Sequence, residues 1–158
     1  KRGIQAVGCD LFMPLVEERR KEYGKDTFYS PVDLPEKPFD LISAFEVFEH
    51  FLEPGREVKF LVDRLKPEGC VFGCTDFWHG GKLSEHPSRD RTYWQHKSHV
   101  TAWSWPSMRC LAKRCGLNAT FFKVDRAGFG TKVFFALHRG DSWNGALAKL
   151  PKVFEKAF

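Results

Sequence analysis

The sequence predicts an α/β protein with a doubly wound, mostly parallel β-sheet and a C-terminal antiparallel strand. Short apolar runs alternate with amphipathic stretches along most of the 158 residues, and such alternation of strands with helices is the pattern of a parallel sheet. The last two apolar runs, residues 119–124 and 132–138, follow one another through a glycine-containing loop. A connection this short requires an antiparallel neighbour, because a parallel one needs a long crossover.

Four further strands are predicted upstream, over residues 4–9, 26–30, 39–45 and 70–75. The first is mostly apolar and ends in Asp10, which predicts a buried strand followed by a carboxylate at its end. A loop must precede the third strand, because three prolines between residues 31 and 38 remove backbone donors.

Three helices are predicted from the spacing of apolar residues and from residues that start or stop helices. The first begins near Pro14 and ends at Gly24. The second has one apolar stripe at helical spacing, made of Val58, Leu61, Val62 and Leu65. A turn over residues 66–69 follows it. The third is capped by Ser104, ends at Gly116 and has an apolar stripe made of Met108, Leu111, Ala112 and Cys115.

Composition excludes several classes of protein. Apolar residues make up 42% and charged residues 28% of the chain, as in ordinary globular domains. No apolar run approaches the ~18 residues of a membrane span. The net charge of +5 is spread over helix faces and the C-terminal end, so it does not by itself indicate a nucleic-acid partner. Five cysteines without a CxxC pair indicate reduced thiols, and we expect a cytoplasmic protein.

Several strings indicate a family when they are taken together. They are FDLISAFEVFEHF at residues 39–51, LKPEG at 65–69, HVTAWS at 99–104 and AKRCGL at 112–117. In order and spacing they resemble class I S-adenosylmethionine (SAM)-dependent methyltransferases. The resemblance is to the subgroup with an EVxEH…LKPxG pattern, which includes ubiquinone-pathway and sugar or small-molecule O-methyltransferases. It covers roughly residues 4–138.

The resemblance implies a Rossmann-like methyltransferase domain over residues 1–140, with SAM as cofactor, and leaves a basic, amphipathic tail over residues 141–158. The family's glycine-rich loop and the strand before it are missing from the sequence. We expect residues before Lys1, or another segment, to fill that place, because unpaired backbone would otherwise line a gap in the sheet. If the natural chain begins at Lys1, the alternative is a non-catalytic methyltransferase-like module in a larger assembly.

Six residues at strand ends are implied to bind SAM by the resemblance: Asp10, Leu11, Asp33, Leu34, Phe45 and Glu46. Asp10 matches the acid that holds the ribose hydroxyls, and a carboxylate can accept two such hydrogen bonds. Asp33 and Leu34 match the loop that reads adenine, while Phe45 and Glu46 match positions beside the methionine part and the methyl acceptor. The alternatives are a helix cap for Asp10, an ordinary loop residue for Asp33 and core packing for Phe45.

A connection of nearly thirty residues separates the strand over residues 70–75 from Ser104, far longer than the ~2–6 residues usual in α/β units. We expect residues 76–103, named the lid here, to cover the acceptor, although a loop that packs its own small core remains the alternative. The aromatic and histidine side chains of the lid include Trp78, His79, His86, Tyr93, Trp94, His96, His99 and Trp103.

Methyl transfer to oxygen requires positioning and the removal of one proton, and histidine is the natural base near neutral pH. His99 and His50 are the candidates, and we expect Glu46 to be the orienting carboxylate. A structural hydrogen bond is the alternative role for each histidine.

A metal site is a further alternative. Glu46, Glu49 and His50, together with His99, resemble the set that binds Mg²⁺ in small-RNA 3′-end 2′-O-methyltransferases. Because the EVxEH string is also common in relatives that use no metal, we predict none.

The function predicted from the sequence is SAM-dependent methyl transfer to a small polar acceptor through a hydroxyl group, with transfer to nitrogen or carbon left open. A Mg-dependent RNA 2′-O-methyltransferase is the other catalytic alternative. The expected partner is a small-molecule acceptor; a nucleic acid is possible but not indicated, and no membrane is expected.

Overall fold

The chain divides into two units, residues 1–37 and residues 38–158. The computed structural model describes residues 3–78, 80–85, 92–126, 130–140 and 143. Parallel strands occur in both units, as the predicted fold class requires.

The first unit is built on two short parallel strands, β1 (Gly8–Cys9) and β2 (Phe28–Tyr29), which are connected by helix α1 (Met13–Tyr23). Pro14 occupies the first turn of α1, where its missing amide hydrogen costs nothing. Gly24 ends the helix with a φ of +107°, a conformation that favours glycine. The predicted start and end of this helix are therefore confirmed.

The predicted strand over residues 4–9 was wrong in its first part. Only its last two residues are paired, Gly8 with Phe28 and Cys9 with Tyr29. Ile4 is 91% exposed and Val7 37% exposed, so residues 4–7 are not a buried strand. The strand predicted over residues 26–30 is present in shortened form as β2.

The second unit contains a four-stranded sheet in the order β3, β4, β6, β5. Its strands are β3 (Phe39–Phe45), β4 (Leu65–Cys74), β5 (Asn118–Arg126) and β6 (Gly130–His138). Strands β3 and β4 pair in parallel, and β6 pairs antiparallel to both β4 and β5. Three strands therefore run in one direction and the last one runs against them, which confirms the predicted fold class.

Strand β4 begins earlier than predicted. Leu65 was predicted on a helix and residues 66–69 as a turn, yet Leu65 pairs with Phe39 and is buried. Leu41 pairs with Cys70, so the register shifts between these two pairs and β4 carries extra residues there. The bulge contains a proline at position 67, which donates no ladder hydrogen bond and is tolerated at such irregularities.

Two helices cover one face of this sheet, α2 (Pro54–Val62) and α3 (Trp105–Arg114). Their inward residues pack with β4 and β6 in one core, whose fully or nearly fully buried members include Val58, Val62, Met108, Ala112, Val71, Phe135 and Leu137. The cap of α3 is as predicted, because the Ser104 hydroxyl accepts from the Ser107 amide and the Ser107 hydroxyl accepts from the Ser104 amide.

The opposite face of the sheet carries a smaller cluster. Its buried residues are Cys70, Phe122 and Ala136, with Phe72 and Phe134 packed against them. Side chains alternate between the two faces along each strand, which explains why β6 contributes to both cores. Burial raises the pKa of the Cys70 thiol to about 12, so this cysteine stays protonated and unreactive.

The tail predicted over residues 141–158 lies outside the described residues apart from Trp143. The Trp143 indole donates to the Glu68 carbonyl at 2.6 Å. Where the domain ends therefore stays a prediction. None of the helices in the described ranges has the length and apolar character needed to cross a membrane.

Replacing Gly73 by alanine tests the close approach of β3 and β4. A Cβ atom at this position would lie 2.1 Å from the Ala44 carbonyl oxygen and 2.8 Å from the Phe135 ring. We expect Gly73→Ala to lower the free energy of unfolding, measured by urea titration, by at least the ~1–3 kcal/mol typical of overpacking. Gly55→Ala is the matched control, since nothing lies within 4 Å of its added Cβ and alanine favours the helix. Equal stability of the two variants would contradict this packing.

Candidate active site

The carboxyl ends of β3 and β4 form the platform of the candidate site. After β3, Glu46 adopts a left-handed φ of +53°, and its amide donates to the Cys74 carbonyl at 2.9 Å. A turn of 3₁₀-helix, Phe48–His50, follows directly. Phe48 and Glu49 are fully buried whereas His50 is exposed. This turn therefore directs Glu49 into the interior and the adjacent His50 toward the surface.

The lid returns across these strand ends. Phe77 forms a parallel bridge with Trp103, and the Trp78 amide donates to the Trp103 carbonyl at 2.6 Å. The amides of Val100 and Thr101 both donate to the carbonyl of Glu49, at 2.9 and 3.0 Å. These main-chain contacts hold the C-terminal part of the lid against the turn that follows β3. His79 and His86, which were also predicted in the lid, lie outside the described residues.

A buried carboxylate lies beneath the lid. The Tyr93 hydroxyl donates to Glu49 Oε1 at 2.7 Å, and the Thr75 hydroxyl donates to Glu49 Oε2 at 3.0 Å. The Asp76 amide donates to the Tyr93 hydroxyl oxygen at 3.3 Å, which completes the network. Burial raises the pKa of the Glu49 carboxyl, and the hydrogen bond from Tyr93 opposes that rise. Burial likewise raises the pKa of Tyr93, which therefore remains a donor.

Two histidines lie side by side above this network, with ring centroids 5.0 Å apart. His50 Nδ1 lies 2.9 Å from the Ser98 carbonyl oxygen, and His99 Nδ1 lies 2.7 Å from the Tyr93 carbonyl oxygen. Because a carbonyl only accepts, each Nδ1 must carry the hydrogen. In the neutral ring the lone pair is then on Nε2, which is the atom left to accept a proton or bind a ligand.

The neighbouring His96 is held differently. Its Nδ1 lies 2.7 Å from the Ser98 hydroxyl, and its ring centroid is 4.8 Å from that of His99. His99 itself is half-buried, so it is not turned into the apolar core.

The predicted orienting carboxylate, Glu46, borders this network, because its hydrogen bond and charge help to raise the pKa of Glu49, and its orienting role stays a prediction. The Cys74 thiol donates to Glu46 Oε1 at 3.2 Å, while Glu49 makes the contacts beneath the histidines. Phe45 is 50% exposed and packs edge-on against Phe72 and Phe134, with centroid distances of 6.0 and 6.1 Å. Phe45 therefore offers an exposed aromatic surface at the end of β3.

The other predicted cofactor residues belong to the first unit. Asp10 directly follows β1, and its carboxylate accepts from the Phe12 amide at 2.7 Å, next to the start of α1. Leu11 is 81% exposed. Asp33 lies in the turn after β2, where its carboxylate accepts from the Ser30 hydroxyl at 2.8 Å, and Leu34 is half-buried. Within this unit, Asp10 and the Asp33 turn both follow the carboxyl ends of paired parallel strands, a common ligand position in such sheets.

Sequence reasoning missed three residues of the network, Tyr93, Thr75 and Ser98. Tyr93 was included only as one aromatic residue of the lid. A polar residue directly after a buried strand was the available signal for Thr75, which is fully buried. Ser98 acts through its backbone carbonyl toward His50, and no side-chain pattern reports such a contact.

Three of these groups could share a metal ion. Glu49, His50 and His99 each offer a ligand atom, and these atoms lie within 4.8 Å of one another. Two imidazole nitrogens with one carboxylate suit a borderline transition-metal ion, whereas Mg²⁺ prefers oxygen ligands. Glu46, the fourth member of the set implied by resemblance, lies next to this group, since it interacts with the Glu49 carboxyl. The magnesium alternative stays a prediction.

Comparison with known proteins places this geometry in a family. The sequence profile of a family described as a methyltransferase domain matches residues 1–120. No curated protein sequence matches the chain.

Among solved structures, the chain is similar to the Haloferax volcanii putative methyltransferase in complex with the Trm112 activator. The TM-score is 0.60 at 18% identity, over 85% of this chain and 72% of that one. YcgJ from Bacillus subtilis gives a TM-score of 0.61 at 14% identity, over 85% and 82% of the two chains. Magnesium protoporphyrin IX methyltransferase (ChlM) from Synechocystis PCC 6803 gives 0.59 at 12% identity, over 87% and 65%, and that structure contains bound S-adenosylhomocysteine.

At these identities the structural similarity supports the fold, while the profile supports the family, because it matches three quarters of the sequence. The chain belongs to the methyltransferase-domain family, whose methyl donor is S-adenosylmethionine.

Proposed function

We propose that this domain transfers the methyl group of SAM to a hydroxyl of a small polar acceptor, and that His99 is the general base. The observation that carries the proposal is the hydrogen bond from His99 Nδ1 to the Tyr93 carbonyl, at 2.7 Å. This bond leaves the Nε2 lone pair of a half-buried imidazole at the carboxyl ends of β3 and β4. Ligands of parallel α/β sheets commonly bind at that edge.

Methyl transfer from SAM to a hydroxyl requires two contributions from the protein. When bound, SAM supplies an activated methyl group, which the acceptor oxygen takes by in-line displacement as the methyl–sulfur bond breaks and S-adenosylhomocysteine leaves. The protein must orient the hydroxyl and remove its proton, and His99 Nε2 receives that proton as the new carbon–oxygen bond forms. His50 has the same protonation pattern and lies beside His99, so we assign it a second hydrogen bond to the acceptor.

The cofactor residues proposed are Asp10, Leu11, Asp33, Leu34, Phe45 and Glu46. Support comes from chemistry, since Asp10 and Asp33 offer carboxylate oxygens of the kind that bind ribose or adenine donors. The half-exposed ring of Phe45 offers an apolar surface suited to the uncharged part of a ligand. Each of these assignments rests on the resemblance described above.

The acceptor we propose is small and uncharged or weakly anionic, because an imidazole pair and nearby aromatic rings recognise hydroxyl groups on flat or sugar-like molecules. A nucleic acid is not favoured by any contact described above. The proposal also locates the protein in the cytoplasm, where its five free cysteines would stay reduced.

Replacing His99 tests the general base. We expect His99→Gln to lower kcat for methyl transfer from radiolabelled SAM by about 10²–10⁴-fold, which is the contribution of general-base catalysis, with SAM affinity nearly unchanged. The acceptor panel should contain phenols and sugars together with amine isosteres. His96→Gln is the matched control, because it removes an exposed neighbouring imidazole, whose Nδ1 contacts the Ser98 hydroxyl, and keeps the His96 amide that donates to the Tyr93 carbonyl. Methylation of the amines alone, or full activity of His99→Gln, would overturn the proposal.

Replacing Asp10 tests the cofactor assignment. We expect Asp10→Ala to weaken SAM binding, measured by calorimetry, by about 1–3 kcal/mol, because hydrogen bonds to a charged acceptor are lost. Asp26→Ala removes an exposed carboxylate from the same unit and should leave the affinity unchanged. An equal effect of the two substitutions would remove Asp10 from the site.

A second candidate function is metal-dependent methyl transfer, which the convergence of Glu49, His50 and His99 favours. Against it, the Glu49 carboxylate already accepts two hydrogen bonds and is fully buried. We therefore expect protein treated with EDTA and freed of the chelator to keep its activity, and added Mg²⁺, Mn²⁺ or Zn²⁺ to raise it less than two- to threefold. Activity that is lost with EDTA and restored by one of these ions would favour the second candidate instead.

A further inference from the structure

We infer that Tyr93 is a positioning residue: its hydroxyl, held by the buried Glu49 carboxylate, fixes the carbonyl that receives the His99 Nδ1 hydrogen, and so presents Nε2 to the acceptor. This inference rests on the proposed role of His99 and adds the residue that prepares it. Tyr93 itself touches neither the donor nor the acceptor in this scheme.

The Tyr93 hydroxyl is anchored at the platform of the site. It donates to Glu49 Oε1 at 2.7 Å, accepts from the Asp76 amide at 3.3 Å, and lies 3.1 Å from the Thr75 hydroxyl. Glu49 follows β3 while Thr75 and Asp76 follow β4, so one side chain of the lid is tied to both strand ends. Since Glu49 is fully buried, its bond to Tyr93 is shielded from competition by water.

The same residue makes two contacts with His99. The Tyr93 carbonyl oxygen lies 2.7 Å from His99 Nδ1 and also accepts from the His96 amide at 3.2 Å. The Tyr93 and His99 rings lie 4.2 Å apart between centroids. Tyr93 thus determines both which ring nitrogen carries the hydrogen and where the imidazole lies.

Glu49 also fixes the far side of His99. Its own carbonyl accepts from the amides of Val100 and Thr101, which directly follow His99. The carboxylate holds the segment before His99 through Tyr93, and the carbonyl holds the segment after it. Removing the Tyr93 hydroxyl would release only the first of these two anchors, so the lid should remain folded.

The consequence is a defined tautomer. If the Tyr93 carbonyl is free to move, the His99 imidazole loses the acceptor that keeps hydrogen on Nδ1. The hydrogen can then reside on Nε2, and an imidazole protonated there cannot take the proton of an acceptor hydroxyl.

The experiment is nitrogen-15 NMR of the imidazole rings in full-length protein, with wild type and Tyr93→Phe compared above the pH at which imidazole is charged. In wild type we expect the His99 Nε2 resonance to be that of an unprotonated nitrogen, and His99→Gln assigns the signal. In Tyr93→Phe the two His99 nitrogens should move toward averaged shifts. His138 on β6 is the internal control, since its ring nitrogens contact the Thr120 hydroxyl and the Gly140 carbonyl rather than the lid, and its signals should not move.

Kinetics of the same variants connect the tautomer to the reaction. Tyr93→Phe should lower kcat by about 10- to 100-fold, as for a small misplacement of a catalytic group, while KM for SAM changes less than twofold. Thr75→Val removes a different hydroxyl from the same network and keeps the bond between Tyr93 and Glu49, so the His99 shifts should be retained. Glu49→Gln keeps an oxygen that accepts from Tyr93 and should retain most of the His99 tautomer.

The outcomes distinguish the inference about Tyr93 from the proposed function of His99. Unchanged His99 shifts in Tyr93→Phe would overturn the inference. A wild-type His99 with hydrogen on Nε2 would overturn it even if the variant fails to fold. Full turnover of His99→Gln would instead overturn the proposed function, whatever the spectra show. A large loss in His99→Gln with no change of shifts or kcat in Tyr93→Phe would remove Tyr93 alone.

Discussion

A carboxylate that is withdrawn from water must find hydrogen-bond donors, and the arrangement of the candidate site depends on how Glu49 finds them. Two hydroxyls, one at the end of β4 and one in the lid, satisfy its oxygens. Its backbone carbonyl accepts two further amides from the lid. A single residue after β3 therefore joins β3, β4 and a long connection, and the two histidines lie side by side because both segments that carry them are fixed at this residue.

The core beneath this network explains why the platform is rigid. Phe48, beside Glu49, is fully buried against Phe51, Trp103 and Phe135, with ring centroids 4.6–5.8 Å apart. The Trp103 indole also donates to the Phe48 carbonyl at 2.8 Å. Aromatic packing of Phe48 and hydrogen bonding of Glu49 thus hold two neighbouring residues of one short turn in place. Displacing Glu49 would require moving a ring out of the core, which close packing resists.

Local patterns predicted most of the fold, because they report local physics. Residues 39–45 form a strand as predicted, and the cap at Ser104 follows from side-chain chemistry within one turn. The helix prediction wrongly included Leu65, because a buried strand residue in an apolar stretch can also fall at helical spacing. In the site, His50 and His99 were identified by residue type. That Glu49 is the fully buried carboxyl depends on how a left-handed residue and a 3₁₀ turn direct side chains, and no periodicity encodes that.

Strand β6 lies between β4 and β5, although it follows both of them along the chain. When the protein emerges from a ribosome, β5 is therefore synthesised before β6, the strand that joins it to the sheet in the described part of the chain. The ladder of β4 from Cys70 to Cys74 stays open on that side until residues 134–138 arrive. Closure of this sheet consequently waits for the synthesis of β6, and nascent chains that lack β6 expose a strand edge of the kind that chaperones protect from aggregation.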